Sequence, residues 1–462
     1  MSSTQLEKQS EQIETDLRNL AQEMVSRAMS GGASAAECVI AEGDEFSTLV
    51  RLGQVETLKE SGSRSIGVRV FNGKRAASTY SSDFSCEGLD RMLKSALELS
   101  RITSEDPYAG LPEASQLGSL NGNLDLYHPD VYSLPGQERI AYARRAEKAA
   151  MDVDARIKNS DGGSFDAATG HKIFANSLAF LGEYRRSYCS VAAVPIAQDE
   201  SGAMQRDYWF SVAPSLAKLD SPENVGKMAA QRTLRRLGAR KVRTAQVPMV
   251  FDPLVAASIL EHIFEGVNGD SVYRGASFLA GKLGQKVAAD HITVIDDGTI
   301  PGGFGTSPFD GEGVPTRRTT VIENGVLKSY LLNTYTAKKL NLQTTGNASR
   351  GLAGTPGIGL GNYFLQPGTN TPREVIGGIK EGLYVTEFLG QGVNLVTGDY
   401  SRGASGMWIS GGEFAYPVEE ITVAGNLKEI FFNISEIAND LEFRGPVACP
   451  TIRIDGLTVG GE

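Results

Sequence analysis

Histidine is nearly missing from this chain: four in 462 residues, at His128, His171, His262 and His291, with no two inside one helical turn. That removes any zinc site built on a local histidine pair. Cysteine is as sparse. Cys38, Cys86, Cys189 and Cys449 stand far apart and form no CxxC pair, so neither a disulfide framework nor a zinc ribbon is encoded, and reduced thiols are expected. Positive charge is not in surplus, since the formal net charge is −10 at pH 7. A protein that neutralises nucleic-acid phosphates or lies on an anionic membrane has the opposite balance. No run of about 18 apolar residues occurs, and the opening MSSTQLEKQSEQIETDL lacks the basic and apolar regions of an export signal. The expectation is a cytoplasmic protein with no nucleic acid and no membrane as partner. Biased tracts are absent too, and 41% apolar with 22% charged residues describes an ordinary globular chain, long enough for two or three domains.

What is present reads as an α+β protein. Ile13, Leu17, Leu20, Met24 and Ala28 recur at helical spacing, and Gly31-Gly32 stops them. Short β-rich runs follow, CVIAE, FSTLVRL, SIGVRVF and RAASTYS, with Asn72-Gly73 supplying positive-φ residues for a hairpin turn. A helical period returns at Leu89, Met92, Leu93, Ala96 and Leu97, before a Gly/Asn/Pro-rich stretch over 110–129. The same order then recurs: a helix over 137–151, strand-like runs, and a helix with Ser221 as N-cap and Pro222 at its first position, ended at Gly238. From 246 onward glycines and strands dominate. Two similar endings, ITVAG at 421–425 and LTVGG at 457–461, suggest equivalent strands of one sheet system, or chance use of good β-formers. The expected domains are 1–110, an N-terminal helix/β-meander/helix unit; 125–240, a middle α+β unit; and 245–462, a mostly β, glycine-rich C-terminal domain.

The segment DPLVAASILEHIFEGVNGD predicts a helix between Asp252-Pro253 and Gly266, with Ser258, Glu261, His262 and Glu265 on one stripe. His262 and Glu265, at i and i+3, are spaced as two metal ligands can be; the other reading is the polar face of an amphipathic helix. Cys449 sits beside Pro450 without the flanking signals of a nucleophile, and no GxSxG elbow is present. The run Gly357 to Gly361 lacks the sixth-position glycine of a dinucleotide loop and reads as a loop entering a strand. Gly302-Gly303-Phe304-Gly305 and Asp310-Gly311-Glu312-Gly313 either line a cleft or turn the chain. Arg232, Arg235, Arg236, Arg240, Lys241 and Arg243 gather at one helix end, as an acidic-partner patch or as a solvated terminus favoured by the helix dipole; the acidic chain favours the second.

Several long strings are more specific than any of these motifs. DDGTIPGGFGTSPFDGEGVPTRRTTVIENGVLKSYLLNTYTAKKL, TGN at 345–347, YPVEEITVAGNL at 416–427 and the closing DGLTVGG resemble the C-terminal domain of the TldD/PmbA family, and ESGSRSIGVRVFNGKRAASTYSS at 60–82 is similar to its N-terminal domain. The resemblance implies a zinc metallopeptidase family in which TldD chains carry HExxxH on a helix and a later cysteine as further ligand. Counting back from GKLGQKVAADHITVIDDGT, the HExxxH positions hold Leu260, Glu261, His262, Ile263, Phe264 and Glu265, so the glutamate matches and both histidines are lost. Cys449 lies near the family's cysteine but lacks the glycine-rich stretch that follows it there. By these departures the chain resembles the PmbA (TldE) branch.

That resemblance implies a chain without metal or catalytic residues of its own, with Glu261 as a weak catalytic candidate and His262, Glu265 and Cys449 as weak ligand candidates. Zinc is expected in a TldD-type partner subunit, and the pair would degrade unfolded peptides or process leader peptides. No residue is marked for peptide binding. Two rival readings remain: a stand-alone metallopeptidase with an unorthodox metal site, and a regulator acting by protein contact, after the family's label as a modulator of DNA gyrase. A homodimer is also open.

Overall fold

The structure, a computed structural model, describes the backbone of residues 3–461 and side chains from Asp16 onward. The first apolar period forms α1 (Ser3–Ser30), which buries Leu17, Met24 and Ala28. The side chain of Ile13 lies outside those described. Then come β1 (Ala35–Arg51), β2 (Gln54–Asn72), β3 (Arg75–Ser81) and α2 (Cys86–Ile102), whose N-cap Ser85 Oγ accepts from Gly88 N. CVIAE and FSTLVRL, which read as separate runs, are parts of one 17-residue strand. Gly43 between them is a close-approach position rather than a turn: a Cβ there would lie 2.4 Å from the Thr169 carbonyl oxygen. The β2–β3 turn also sits one residue later than the sequence suggests. Asn72 pairs with Arg75, so Gly73 and Lys74 are the central residues, and Gly73 has φ +61° as the first position of a II′ turn requires.

The order helix, strands, helix repeats in α3 (Gly136–Met151), β4 (Ile157–Asn176), β5 (Leu181–Gln198), β6 (Met204–Arg206), β7 (Trp209–Ala213) and α4 (Pro222–Leu234), the last capped by Ser221. The two units share one sheet. β1 and β4 pair antiparallel at its centre, giving the order β3-β2-β1-β4-β5-β6, with β7 also beside β5. On one face α1 and α2 cover one end of the long strands, around Cys38, Ile40 and Ile173, while α3 and α4 cover the other end, around Phe46, Phe165 and Val191. Alternation along the strands turns Lys172, Phe174, Tyr184 and Arg186 to the opposite face, where Val39 and Phe174 meet Phe309 of the third part.

The basic run at the end of α4 is not solvated as expected. Arg232 is buried between Asp207 and Asp252, at 3.5 and 3.3 Å, Arg236 reaches Glu387 at 2.8 Å, and the Arg240 guanidinium lies 3.5 Å from the centre of the Tyr416 ring. A buried guanidinium persists only beside carboxylates, and here these cations fasten the middle segment to the third part.

The third part is mostly β, as its glycine and turn content suggests. It contains β8 (Ala245–Phe251), α5 (Pro253–Val267), β9 (Val294–Asp297), β10 (Arg318–Glu323), β11 (Val326–Leu327), β12 (Ala348–Ser349), β13 (Gly357–Ile358) and β14 (Asn362–Leu365). β15 (Glu381–Leu389), β16 (Asp399–Ser410), β17 (Glu413–Asn426), β18 (Ile434–Ile437), β19 (Val447–Ala448) and β20 (Ile452–Gly460) complete it. One sheet runs β17-β16-β15-β8-β20-β18, and a further β17–β20 pairing closes part of it into a ring. The two similar endings make that pairing, with Val423 opposite Val459. A second sheet runs β11-β10-β9-β14-β19, and α5 packs against β15 of the first and β14 and β19 of the second.

Candidate functional site

Asp252 sets the position of α5. Its carboxylate accepts from Leu254 N at 3.2 Å as N-cap, and also from Arg232 at 3.3 Å and Tyr384 OH at 3.2 Å. The helix runs one residue past the expected stop: Gly266 is inside it, against Phe278 and Leu279, and Asn268 is the C-cap. Val255, Ala256, Ile259, Leu260 and Ile263 are buried, which leaves Ser258, Glu261, His262 and Glu265 on the outer stripe, as the period predicts.

Arg402 of β16 leans over this stripe. It donates to Ser258 Oγ at 3.4 Å and to the Gly390 carbonyl at 3.2 Å, and its guanidinium lies 4.6 Å from the centre of the Phe388 ring. Burial, helped by the Arg402 charge, pushes His262 down to about 4, so its ring is neutral at pH 7. Its Nε2 is buried with no hydrogen-bond partner, and the Tyr400 ring stands edge-on at 5.9 Å. Burial raises the Glu261 carboxyl, against the Arg402 charge, and raises Glu265 as well. Cys449 lies by the first half of α5, lining a cavity of about 230 Å³ with Pro253 and Ala257, and burial holds its thiol protonated.

These residues do not fit the family's zinc. The two histidine positions hold Leu260, which is 3% exposed in the main core, and Glu265, so neither imidazole is present. The His262 nitrogen has a fixed cation, not a carboxylate, as its charged neighbour. Among the described residues no three His, Cys, Asp or Glu side chains converge as a ligand set.

A second feature lies on the other side of α5. Phe264, edge-on to Tyr363 at 6.1 Å, lines a cavity of about 410 Å³ between the far face of the large sheet and the glycine-rich loops. The two loops read as cleft or turn are its walls. The first of them and the Gly357–Gly361 run touch closely enough that a Cβ on Gly305 would lie 1.9 Å from the Gly361 carbonyl oxygen. Asn362 Nδ2 braces them, donating to the Asp297 carbonyl at 2.7 Å and to Thr306 Oγ1 at 2.8 Å. Asp296 accepts from Asn347 Nδ2 and from Gly361 N, each at 2.7 Å, and burial lifts its carboxyl to about 6. Asp310 accepts from the N–H groups of Glu312, Val314 and Ala348, yet burial raises it, and Glu312 is raised by burial and by Asp310. None of Lys172, Arg186, Asp296, Asn347 or Arg350 is marked by a local motif. Asp296 and Asn347 lie in or beside the strings DDGT and TGN, which carried a resemblance but no chemistry.

Residues 36–100 match the PmbA/TldA metallopeptidase domain 1, residues 129–237 its central domain, and residues 244–461 its C-terminal domain. The chain is 37% identical over 448 residues to a protein of Escherichia coli O157:H7 named Metalloprotease PmbA, covering 96% of this chain and 97% of that one. A Bacteroides thetaiotaomicron VPI-5482 crystal structure, named for modulation of DNA gyrase, superposes with a TM-score of 0.89 at 26% identity, over 96% of this chain and 98% of its own. TldE from Thermococcus kodakarensis shares the fold, with a TM-score of 0.87 at 20% identity, over 95% of this chain and 99% of its own.

Proposed function

The chain belongs to the PmbA/TldD metallopeptidase family, and we propose that within it this is the non-catalytic partner of a zinc-bearing TldD-type subunit in the cytoplasm. The pair degrades unfolded peptides or trims leader peptides. One observation carries the reading: α5, where the resemblance puts the family's glutamate at Glu261, offers no donor set for a metal around it. Such a glutamate works by taking a proton from a metal-bound water whose pKa the metal has lowered. Leu260 in the core and a neutral His262 beside Arg402 cannot provide that water. The contribution of this chain is then to hold the peptide in extended form. Main-chain groups along the glycine-lined loops suit that task, because backbone hydrogen bonds give affinity without sequence choice.

The test is peptidase activity on an unfolded peptide with this chain alone, a TldD-type subunit alone, and the two mixed. The expected result is no cleavage by this chain, stimulation on mixing, and an unchanged mixed rate with Glu261→Gln here. Cleavage by the isolated chain that disappears with Glu261→Gln or His262→Ala would reject the reading in favour of a self-sufficient peptidase.

Among the described residues no helix is long and apolar enough to cross a membrane.

A further inference from the structure

The charges around the larger cavity are unequal. Lys172 on β4, Arg186 on β5, Arg317 ahead of β10 and Arg350 after β12 all line it, against Asp296 and Asp310. Both carboxylates already accept hydrogen bonds from N–H donors of the cavity wall, as described above. Lys172, Arg186 and Arg317 form no salt bridge among the described residues. Arg186 donates from Nη2 to the Thr306 carbonyl at 2.9 Å and keeps a buried Nε with no partner. Arg350, whose side chain is 2% exposed, reaches Glu37 at 3.1 Å and also keeps a buried Nε with no partner. Lys172, Arg186 and Arg317, with no carboxylate paired to them, leave the lining with positive charge that an anionic ligand would balance.

We infer that this cavity is a carboxylate site, built to take the C-terminal end of an extended peptide. The choice of a peptide rests on the peptide-holding reading; the choice of a carboxylate does not. A carboxylate is planar, accepts only, and matches a guanidinium edge with two parallel hydrogen bonds. Arg186 and Lys172 are positioned for joint use, since Gly170 pairs with Arg186 and Lys172 with Tyr184, leaving both cations on the same face of neighbouring strands. The lining cations outnumber Asp296 and Asp310, so the field favours an anion, and the planar guanidinium edges together with the apolar part of the lining suit a peptide carboxylate better than a phosphate. The volume exceeds what a carboxylate alone fills and lies in the range of small-ligand sites, about 300–1,000 Å³. Phe264, Phe304 and Leu360 in the lining suit the apolar part of a terminal residue.

The test is binding of a labelled, unstructured hexapeptide to the full chain, in three forms: free C-terminal acid, C-terminal amide, and amide with a glutamate as last residue. The acid is expected to bind about 10-fold or more tighter than the amide. Arg186→Gln and Arg317→Gln are expected to erase that preference, so that acid and amide bind equally. Arg317 is exposed, so its variant keeps the test valid if Arg186→Gln does not fold. Equal binding of acid and amide overturns the site. A glutamate amide that matches the acid overturns the chain-end assignment, and displacement of the acid by millimolar inorganic phosphate overturns the preference for a monoanion. Acid preference without stimulation of a TldD-type subunit would instead reject the partner reading and leave the carboxylate site standing.

Discussion

The outer stripe of α5 and the cavity on its other side show charge organised in opposite ways. On the stripe, two carboxyls and an imidazole share one helix face and are met by a single cation, Arg402. In the cavity, four cations come from separate strands and loops, and the two carboxyls among them are occupied by N–H donors. The stripe has the residue types of a metallopeptidase without the geometry of one. The cavity lacks the histidines and cysteine of a zinc site, but it gathers cations in a space of ligand size. Residue types near each other in sequence are weaker evidence of chemistry than charges that separate elements bring to one cavity.

The largest expected effect comes from detaching α5. Asp252→Ala removes the N-cap and leaves Arg232 buried with Asp207 alone, and should lower stability by about 4 kcal/mol in chemical denaturation. If the stripe and the cavity depend on one frame, ligand binding in the cavity weakens with it. Next is Phe309→Ala. The Phe309 ring meets Phe180 at 5.2 Å and Tyr184 at 5.4 Å, joining the large sheet to the cavity wall, and its loss should cost about 3 kcal/mol. A loss within experimental error would show that the sheet and the wall do not need this contact.

Smaller effects separate the two regions by the sign of their pH dependence. His262 is depressed from 6.5 to about 4, so the unfolded chain takes up a proton first. Its contribution is present above pH 6.5 and is lost as pH falls toward 4. His262→Gln should flatten that slope, on the order of 1 kcal/mol after allowance for the ring's partial exposure. Glu312 is raised from 4.5 toward neutrality by burial and by Asp310. The unfolded chain then loses its proton first, so this contribution is present below pH 4.5 and is lost as pH rises toward neutrality. Glu312→Gln should flatten the second slope and leave the first, as urea midpoints across pH 4 to 8 would record. Equal slopes in all three proteins would contradict the assigned charge states.

Much of this was legible in the sequence where the signal is local. The α5 stripe, the Ser221 and Asp252 caps and the repeated helix-strand-helix order follow from period and from turn chemistry, and the two similar endings do share a sheet, though their direct pairing was not read. The failures have tertiary causes. Gly43 resembles a break but allows β1 to approach Thr169, and Arg232 resembles a solvated terminus but finds Asp207 and Asp252 across the interior. The cavity could not be read because Lys172, Arg186, Asp296, Asn347 and Arg350 meet only after the large sheet packs on the loops of the third part. The long strings revealed the family without revealing that their glycines and acids line a cavity.

The most direct test of the central claim, that α5 carries no zinc site, is the metal content of this chain expressed alone and purified without chelators or a histidine tag. Less than about a tenth of an equivalent of zinc is predicted, because a bound structural or catalytic zinc needs a converging ligand set. Close to one equivalent, lost on His262→Ala or Cys449→Ala, would contradict the account and make the chain a metallopeptidase in its own right.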